Sequence, residues 1–345
     1  MKELLEEIGR DPETRQALVD ALRAHEARNR SPGRRLRDEL TGPIVDALHV
    51  PGEAVPLELE DGTRLELPYR SKIARDIVLR DRPYPDHAFE PQTTKLLLRW
   101  AERARTVVIG GAYAGDHACV MARRMSPGSQ VVAFEPNPEQ RRFLERNLAA
   151  NELENVRPVP YALWDEDGLR LKLSGVDACA WVEPTDAGDG IPAMTFDRYA
   201  REQGIERVDV MILDIEGSEL RALRGARSFL SRDDGPDVIF EVNRAYCDWS
   251  QGLRKTDIVR FMEGQGYSVW ALRDFQSNIS MTDCNIELVE LEGCFLEGPP
   301  HGFNMVATKR PEQFGDEVKI MREVSPKLLL HRDPSLHAPT EWRSE

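Results

Sequence analysis

The 345-residue sequence is short of cysteine, with only Cys119, Cys179, Cys247, Cys284 and Cys294. Their number is odd, they are widely spaced and no two form a C-x-x-C pair, so neither a disulfide framework nor a zinc cage is indicated. Long apolar runs are absent too, none approaching the roughly 18 residues that a membrane span needs. Residues 1–30 are charged throughout and lack the apolar core and small-residue cleavage site of a secretory signal. The expectation is a cytoplasmic chain with no membrane partner. Basic residues are outnumbered, 46 Lys and Arg against 60 Asp and Glu, for a formal net charge of −14. That field repels phosphate backbones and argues against a nucleic-acid partner. Arg28, Arg30, Arg34, Arg35 and Arg37 cluster locally, but read as a solvated linker face. Internal repeats and low-complexity tracts are also missing.

What is present is an ordinary globular composition, 41% hydrophobic and 31% charged. The length suits one catalytic-size domain and an added segment. Leu4, Leu5 and Ile8, then Leu18, Val19 and Leu22, recur at helical spacing on either side of Pro12, which predicts two short helices. "VPLELEDGTRLELPY" alternates apolar and polar residues around Asp61-Gly62 and predicts a hairpin. Leu96, Leu97, Trp100, Ala101 and Ala104 then share a helical face. From Thr106 the apolar runs "TVVI", "QVVAF", "VRPVPYAL", "VDVMILD" and "DVIFEV" alternate with amphipathic stretches, the pattern of a parallel sheet covered on both faces. "YSVWAL" and "NMVATK" supply further strands, and the long stretch between them holds either an inserted strand, "IELVEL", or a lid. This divides the chain into an accessory segment over 1–87, a main domain over 88–310 with an insertion near 273–302, and a tail over 311–345.

Three elements carry chemistry. In "TVVIGGAYAGDHA" the small residues Gly110, Gly111, Ala112, Ala114 and Gly115 allow a sharp turn and close approach of a ligand, and the helix beginning near Asp116 offers its free N–H groups to an anionic group. Glu135 ends the next strand, about twenty residues past Gly115, the spacing at which an acid in a doubly wound fold receives both ribose hydroxyls. Asp214 and Glu216 stand at the C-terminal end of "VDVMILD", the edge at which open α/β sheets bind ligands. Read as G-x-A-x-x-G, residues 110–115 suit a nicotinamide dinucleotide as well as S-adenosylmethionine (SAM).

"VVIGGAYAGDHA", "VVAFEPNPEQRRFLERNLAANELENV", "ALWDEDG", "MTFDRYAREQGIERVDVMILDIEGSELRALRGA" and "DVIFEV" together resemble FkbM-type SAM-dependent methyltransferases, over about residues 88–272. "FEPNP" and "LDIEGSE" are the most specific parts. The resemblance implies the class I methyltransferase fold, a Rossmann-like, doubly wound α/β sheet of seven strands with one antiparallel, here preceded by a helical and β-hairpin extension. It also implies methylation of hydroxyl oxygens, often on sugars or polyketide natural products. By the same resemblance Gly111, Ala112 and Gly115 line the methionine part of SAM and Glu135 holds the ribose, with Gly110, Asp116 and Pro136 also counted among the cofactor-binding residues. Asn137 lies close to the adenosine, Ala162 and Leu163 border the adenine, and Glu90 in "FEPQTT" reaches the amino group. One position departs: many members carry an aspartate where this chain has Ile109, a carboxylate that fixes the loop or indirectly holds the amino group of SAM, and Asp116 or Glu90 is expected to take that role.

Methyl transfer from a sulfonium is an in-line displacement, so positioning does much of the work, and an alcohol acceptor needs a base within hydrogen-bond reach. Asp214, Glu216 and His301, the last in "EGPPHGFN", are the candidate catalytic residues. The acids could instead hold a divalent cation, although no sequence signal singles one out. Tyr246, Trp249 and Trp270 could stack on a sugar ring. The expected partner is a hydroxylated small molecule, with the N-terminal helices serving as a cap on its pocket or as a homodimer interface. A nicotinamide-dependent oxidoreductase and a non-catalytic binding module are the competing readings.

Overall fold

The computed structural model describes residues 2–29, 35–50, 52–69, 72–79, 87–175, 181–185, 188, 190–298 and 302–341. Helices α1 (Lys2–Gly9) and α2 (Pro12–Arg28) part at Pro12, and Asp11 caps α2 by accepting the Thr14 N–H at 3.0 Å. Proline suits the first helical position because its missing N–H has no partner there anyway. After α3 (Gly42–Leu48) comes the hairpin of β1 (Ala54–Glu58) and β2 (Arg64–Pro68). Of the two turn residues only Gly62 is left-handed, with φ 80°. The Leu59 N–H reaches the Thr63 carbonyl at 2.9 Å and the Gly62 N–H reaches Leu59 at 3.0 Å, so the hairpin closes through a three-residue loop ending in a bulge. Of the arginine cluster, Arg30 and Arg34 lie outside the described residues, and Arg37 is less solvated than expected, since it pairs with Glu26 and with the buried Asp76.

Helices α4 (Lys72–Val78) and α5 (Pro91–Ala101) lead into the main domain. There β3 (Thr106–Gly110), β4 (Gln130–Phe134) and β5 (Val156–Val159) alternate with α6 (Asp116–Arg124) and α7 (Pro138–Ala150). A small sheet follows, of β6 (Ala162–Leu163), β7 (Arg170–Ser174), β8 (Trp181–Pro184) and β9 (Ile191–Met194), and then α8 (Phe196–Gln203). The main sheet resumes with β10 (Val210–Leu213), α9 (Glu219–Gly225), α10 (Arg227–Leu230), β11 (Asp237–Asn243), α11 (Asp257–Gly264) and β12 (Ser268–Leu272). It ends with β13 (Ile286–Val289), β14 (Gly302–Thr308) and β15 (Val318–Met321).

The large sheet has nine strands, in the order β15-β13-β12-β14-β11-β10-β3-β4-β5, and not the expected seven. The seven from β12 to β5 make the anticipated doubly wound arrangement, with β14 antiparallel to both neighbours. The extra two arise because "IELV" within the insertion is apolar enough to be buried and pairs with the otherwise open edge of β12, after which β15 pairs with β13. The stretch read as a tail is tied to this edge. Arg273 and Glu287 form a buried pair at 2.6 Å, and the same guanidinium donates to the carbonyls of Ser325 and Leu336.

Period-two alternation supplies apolar side chains to both faces of the sheet. Val107, Ile109, Val131, Ala133 and Ile212 join a core that also takes in Val19, Leu48, Leu57 and Leu67 of the N-terminal segment. Val108, Val132, Phe134, Met211 and Leu213 face the other core, under α8, α9 and α11. No helix among the described residues is long and apolar enough to cross a membrane.

Candidate active site

The strand order reverses between β3 and β10, and the loops leaving their carboxyl ends form a cleft. Gly111 has φ 77°, and a Cβ there would lie 1.9 Å from the Asp214 carbonyl oxygen, so the approach of the two strand ends admits only glycine. Gly115 has φ 85°, and its Cβ would lie 2.4 Å from Leu144 of α7. The N–H groups of Gly111 and Ala112 both donate to the Phe134 carbonyl at 3.0 Å. Tyr113, left-handed at φ 48°, donates its N–H to Glu135 Oε2 at 2.8 Å. On the far side of the turn, Asn147 Nδ2 donates to the Ala114 carbonyl at 2.8 Å.

These contacts correct the loop-fixing half of the expectation about Ile109. Strand alternation directs its side chain into the core, between Ala133 and Ile212 on the neighbouring strands. Among the described residues neither Asp116 nor Glu90 hydrogen-bonds the loop; Glu135 and Asn147 hold it. Glu90 instead receives Asn304 Nδ2 at 2.7 Å, and Asn304 also donates to Thr93 Oγ1 at 3.0 Å.

Glu135 is buried, which pushes its carboxyl up to about 7 in spite of the N–H groups of Asn137 and Tyr113 that favour the ion. Each oxygen accepts one backbone N–H, from Tyr113 and from Asn137, both at 2.8 Å. Each therefore keeps lone-pair capacity for a further donor, which suits a vicinal diol such as a ribose. Pro136 and Asn137 are half-buried, and Asn137 caps α7 by accepting the Glu139 N–H at 3.0 Å. Ala162 and Leu163 lie in the core. Leu163 packs at the foot of the loop, 3.0 Å from where a Gly110 Cβ would be, while Ala162 sits in the core of the small sheet.

Across the cleft the chemistry changes. Oxygens of Asp214, Glu216 and Glu241 lie within 4.8 Å of one another. Asp214 is open to water at the end of β10, yet the protein packed around it, with the nearby Glu241 and Asp116 charges, raises its carboxyl to about 8. Burial and the neighbouring Asp214 push Glu216 up to about 7. Glu241 is raised by burial and by Glu216, and accepts a hydrogen bond from the Tyr246 hydroxyl. Glu90 is raised in the same way, by burial and by Asp214. Glu219, next to this group, is spent on structure, its oxygens receiving the N–H groups of Ile215 at 2.9 Å and Gly217 at 3.0 Å. Glu90, Tyr113 and Glu216 are three of the five non-glycine residues with positive φ among those described, so backbone strain concentrates here.

Beyond Glu241 opens a cavity of about 370 Å³, bounded by Gly217, Leu220, Tyr246, Ser250, Gln251 and Thr256 among others. Of the three aromatic candidates only Tyr246 lines it. Trp249 packs on Phe303 with ring centroids 5.5 Å apart and Trp270 on Phe314 at 5.6 Å. His301 lies outside the described residues, although Gly302 after it abuts Glu241, whose Oε1 would be 2.2 Å from a Cβ there. Glu241 escaped the sequence reading although "DVIFEV" carries the signal used for Asp214, an acid ending an apolar strand. Asn147 and Asn304 carried no comparable signal.

Comparison with known proteins adds a family. Residues 110–269 match the model of the methyltransferase FkbM domain. No curated protein matches the chain. Among solved structures, methyltransferase FkbM from Methylobacillus flagellatus KT is similar at 14% identity and a TM-score of 0.39, covering 59% of this chain. The match spans 44% of that protein's length. An O-methyltransferase from Bacillus cereus in complex with SAH is similar at 17% identity and a TM-score of 0.38, covering 64% of this chain and 81% of that one. TomG from Streptomyces achromogenes, an O-methyltransferase involved in tomaymycin synthesis and solved with SAM, is similar at 13% identity and a TM-score of 0.36, covering 62% and 78%.

Proposed function

We propose that this chain, which carries a methyltransferase FkbM domain over residues 110–269, is a SAM-dependent O-methyltransferase acting on a hydroxyl of a small molecule, such as a sugar or a glycosylated or polyketide natural product. The observation that carries the reading is the division of one cleft into two halves. A glycine loop and the diol-ready Glu135 stand on one side, and on the other stand carboxylates whose proton affinity is raised toward neutrality. Bound SAM would supply an activated methyl on a sulfonium. Gly111, Ala112 and Gly115 shape the seat for its methionine end, and Glu135 with Asn137 suits its ribose and adenosine. The acceptor occupies the cavity beside Tyr246, its hydroxyl directed at the acid group. Asp214, at the junction of the halves, takes the hydroxyl proton as the C–O bond forms. Glu241 and Asp116 raise its basicity.

The mutual spacing of Asp214, Glu216 and Glu241 supports a second reading, in which they hold a divalent cation that orients acceptor oxygens. Chelator treatment separates the two, because transfer that survives it requires the proton-acceptor role. The function itself is tested by titrating S-adenosylhomocysteine (SAH) into the protein and by assaying SAM turnover with a panel of glycosides. Saturable SAH binding is the expected outcome. Saturable NAD(P)H binding with none of SAH would overturn the reading in favour of an oxidoreductase.

A further inference from the structure

The hairpin β1–β2 lies far from the loop in sequence, yet the two meet through one side chain. Asn147 of α7 is buried and uses its whole amide. Its Oδ1 accepts the Glu66 N–H at 2.7 Å, and its Nδ2 donates to the Glu66 carbonyl at 2.9 Å and to the Ala114 carbonyl at 2.8 Å. One turn later Asn151 repeats the strand-like half of this pattern, accepting the Arg64 N–H at 2.9 Å and donating to its carbonyl at 2.6 Å. The two asparagines therefore complete the outer edge of β2 as a neighbouring strand would. Arg64 and Glu66 face Glu58 and Pro56 in the hairpin register, at the positions whose backbone groups point away from β1. The turn of the hairpin also engages the helix after the loop, where Arg123 of α6 donates to the Asp61 carbonyl at 3.1 Å.

We infer that the N-terminal hairpin is a working part of the cofactor site, with Asn147 as the positioning residue that couples the docking of β2 to the conformation of the Ala114 turn. This rests on the reading of that turn as a SAM seat. If Glu66 releases the Asn147 amide, the group that donates to Ala114 loses two of its three fixed points. The turn then loses the restraint that holds it opposite the Glu135 clamp. Coupling of this kind is reciprocal, so a ligand that orders the turn also tightens the hairpin.

The test uses the full chain with SAH as the probe. Glu66→Pro deletes the amide that Asn147 accepts, at a position that needs no N–H toward β1. Asn147→Ala deletes the link itself. Each is expected to weaken SAH binding about tenfold, the typical worth of one buried hydrogen bond, whereas Asn151→Ala, which touches β2 but not Ala114, should weaken it less than about threefold. In the wild type, saturating SAH should slow hydrogen exchange at the Glu66 amide. That readout needs no variant and is not expected of a hairpin that merely braces α7. SAH affinity unchanged in Glu66→Pro, or Glu66 exchange indifferent to SAH, would overturn the coupling alone. A wild type that does not bind SAH would overturn the methyltransferase reading instead.

Discussion

The two halves of the cleft are built on opposite physical plans. On the β3–β4 side the groups that shape the loop are paired: Tyr113 and Asn137 donate to Glu135, Asn147 donates to Ala114, and Phe134 accepts two loop N–H groups. On the β10–β11 side Asp214, Glu216 and Glu241 crowd together, and none has a basic partner in a salt bridge among the described residues. A seat for a ligand of fixed shape gains from backbone groups that are already committed, because little remains to be ordered on binding. A proton acceptor gains from the opposite, since burial and like charge raise its affinity for a proton into the working range.

The largest expected effect would break the comparison at its second half. Asp214→Asn should keep SAH affinity within about threefold of wild type while turnover falls by about 10²- to 10⁴-fold, the usual share of a general base. A methyl-transfer assay that finds near-normal turnover would remove Asp214 from that role. Gly111→Ala attacks the first half. Its Cβ would meet the Asp214 carbonyl, so the loop must shift, and SAH affinity should fall by at least about tenfold in calorimetry, as expected for a strained backbone clash.

Acidity sharpens the contrast next. With a base that must be ionised, kcat/KM should rise with pH as Asp214, its carboxyl pushed up to about 8, loses its proton. The profile of Asp214→Asn should be nearly flat.

The smallest effect concerns the stability of the free protein. Glu135 and Glu216 titrate at about 7 when folded, above the roughly 4.3 of an unfolded glutamate. The folded state thus binds more protons between these values. Their contribution to stability is fully present below about pH 4, and it is lost as pH rises through about 7. Thermal melts of the free protein should show Tm lower at pH 8 than at pH 6 by a few degrees, with a smaller difference in Glu216→Gln.

Much of the first half was legible in sequence and little of the second. The main-sheet strands β3, β4, β5, β10, β11, β12 and β14 could be read because their apolar runs are long enough to register as period or burial. The loop and Glu135 were legible because a fixed spacing in a doubly wound fold links them. Asp214 and Glu216 were visible as acids ending an apolar run, but which other acids join them depends on the order of strands in space. Glu241, on β11, becomes their neighbour only through the β10–β11 pairing. What stands in for the aspartate at Ile109 could not be read either. The loop is held by Asn147, a residue on α7, and through it by a hairpin some eighty residues away in sequence. Strands β7, β8 and β15 are short and mostly solvated, and left no pattern to find.

The central claim is that the two halves are separable, one for the cofactor and one for the proton. Calorimetric titration of SAH into wild type, Glu135→Gln and Asp214→Asn tests it most directly. The expected result is tight binding to wild type and to Asp214→Asn, with affinity lost by about tenfold or more in Glu135→Gln, where one of the acceptors for a ribose diol is gone. Equal SAH affinity in wild type and Glu135→Gln, or its loss in Asp214→Asn alone, would contradict the division.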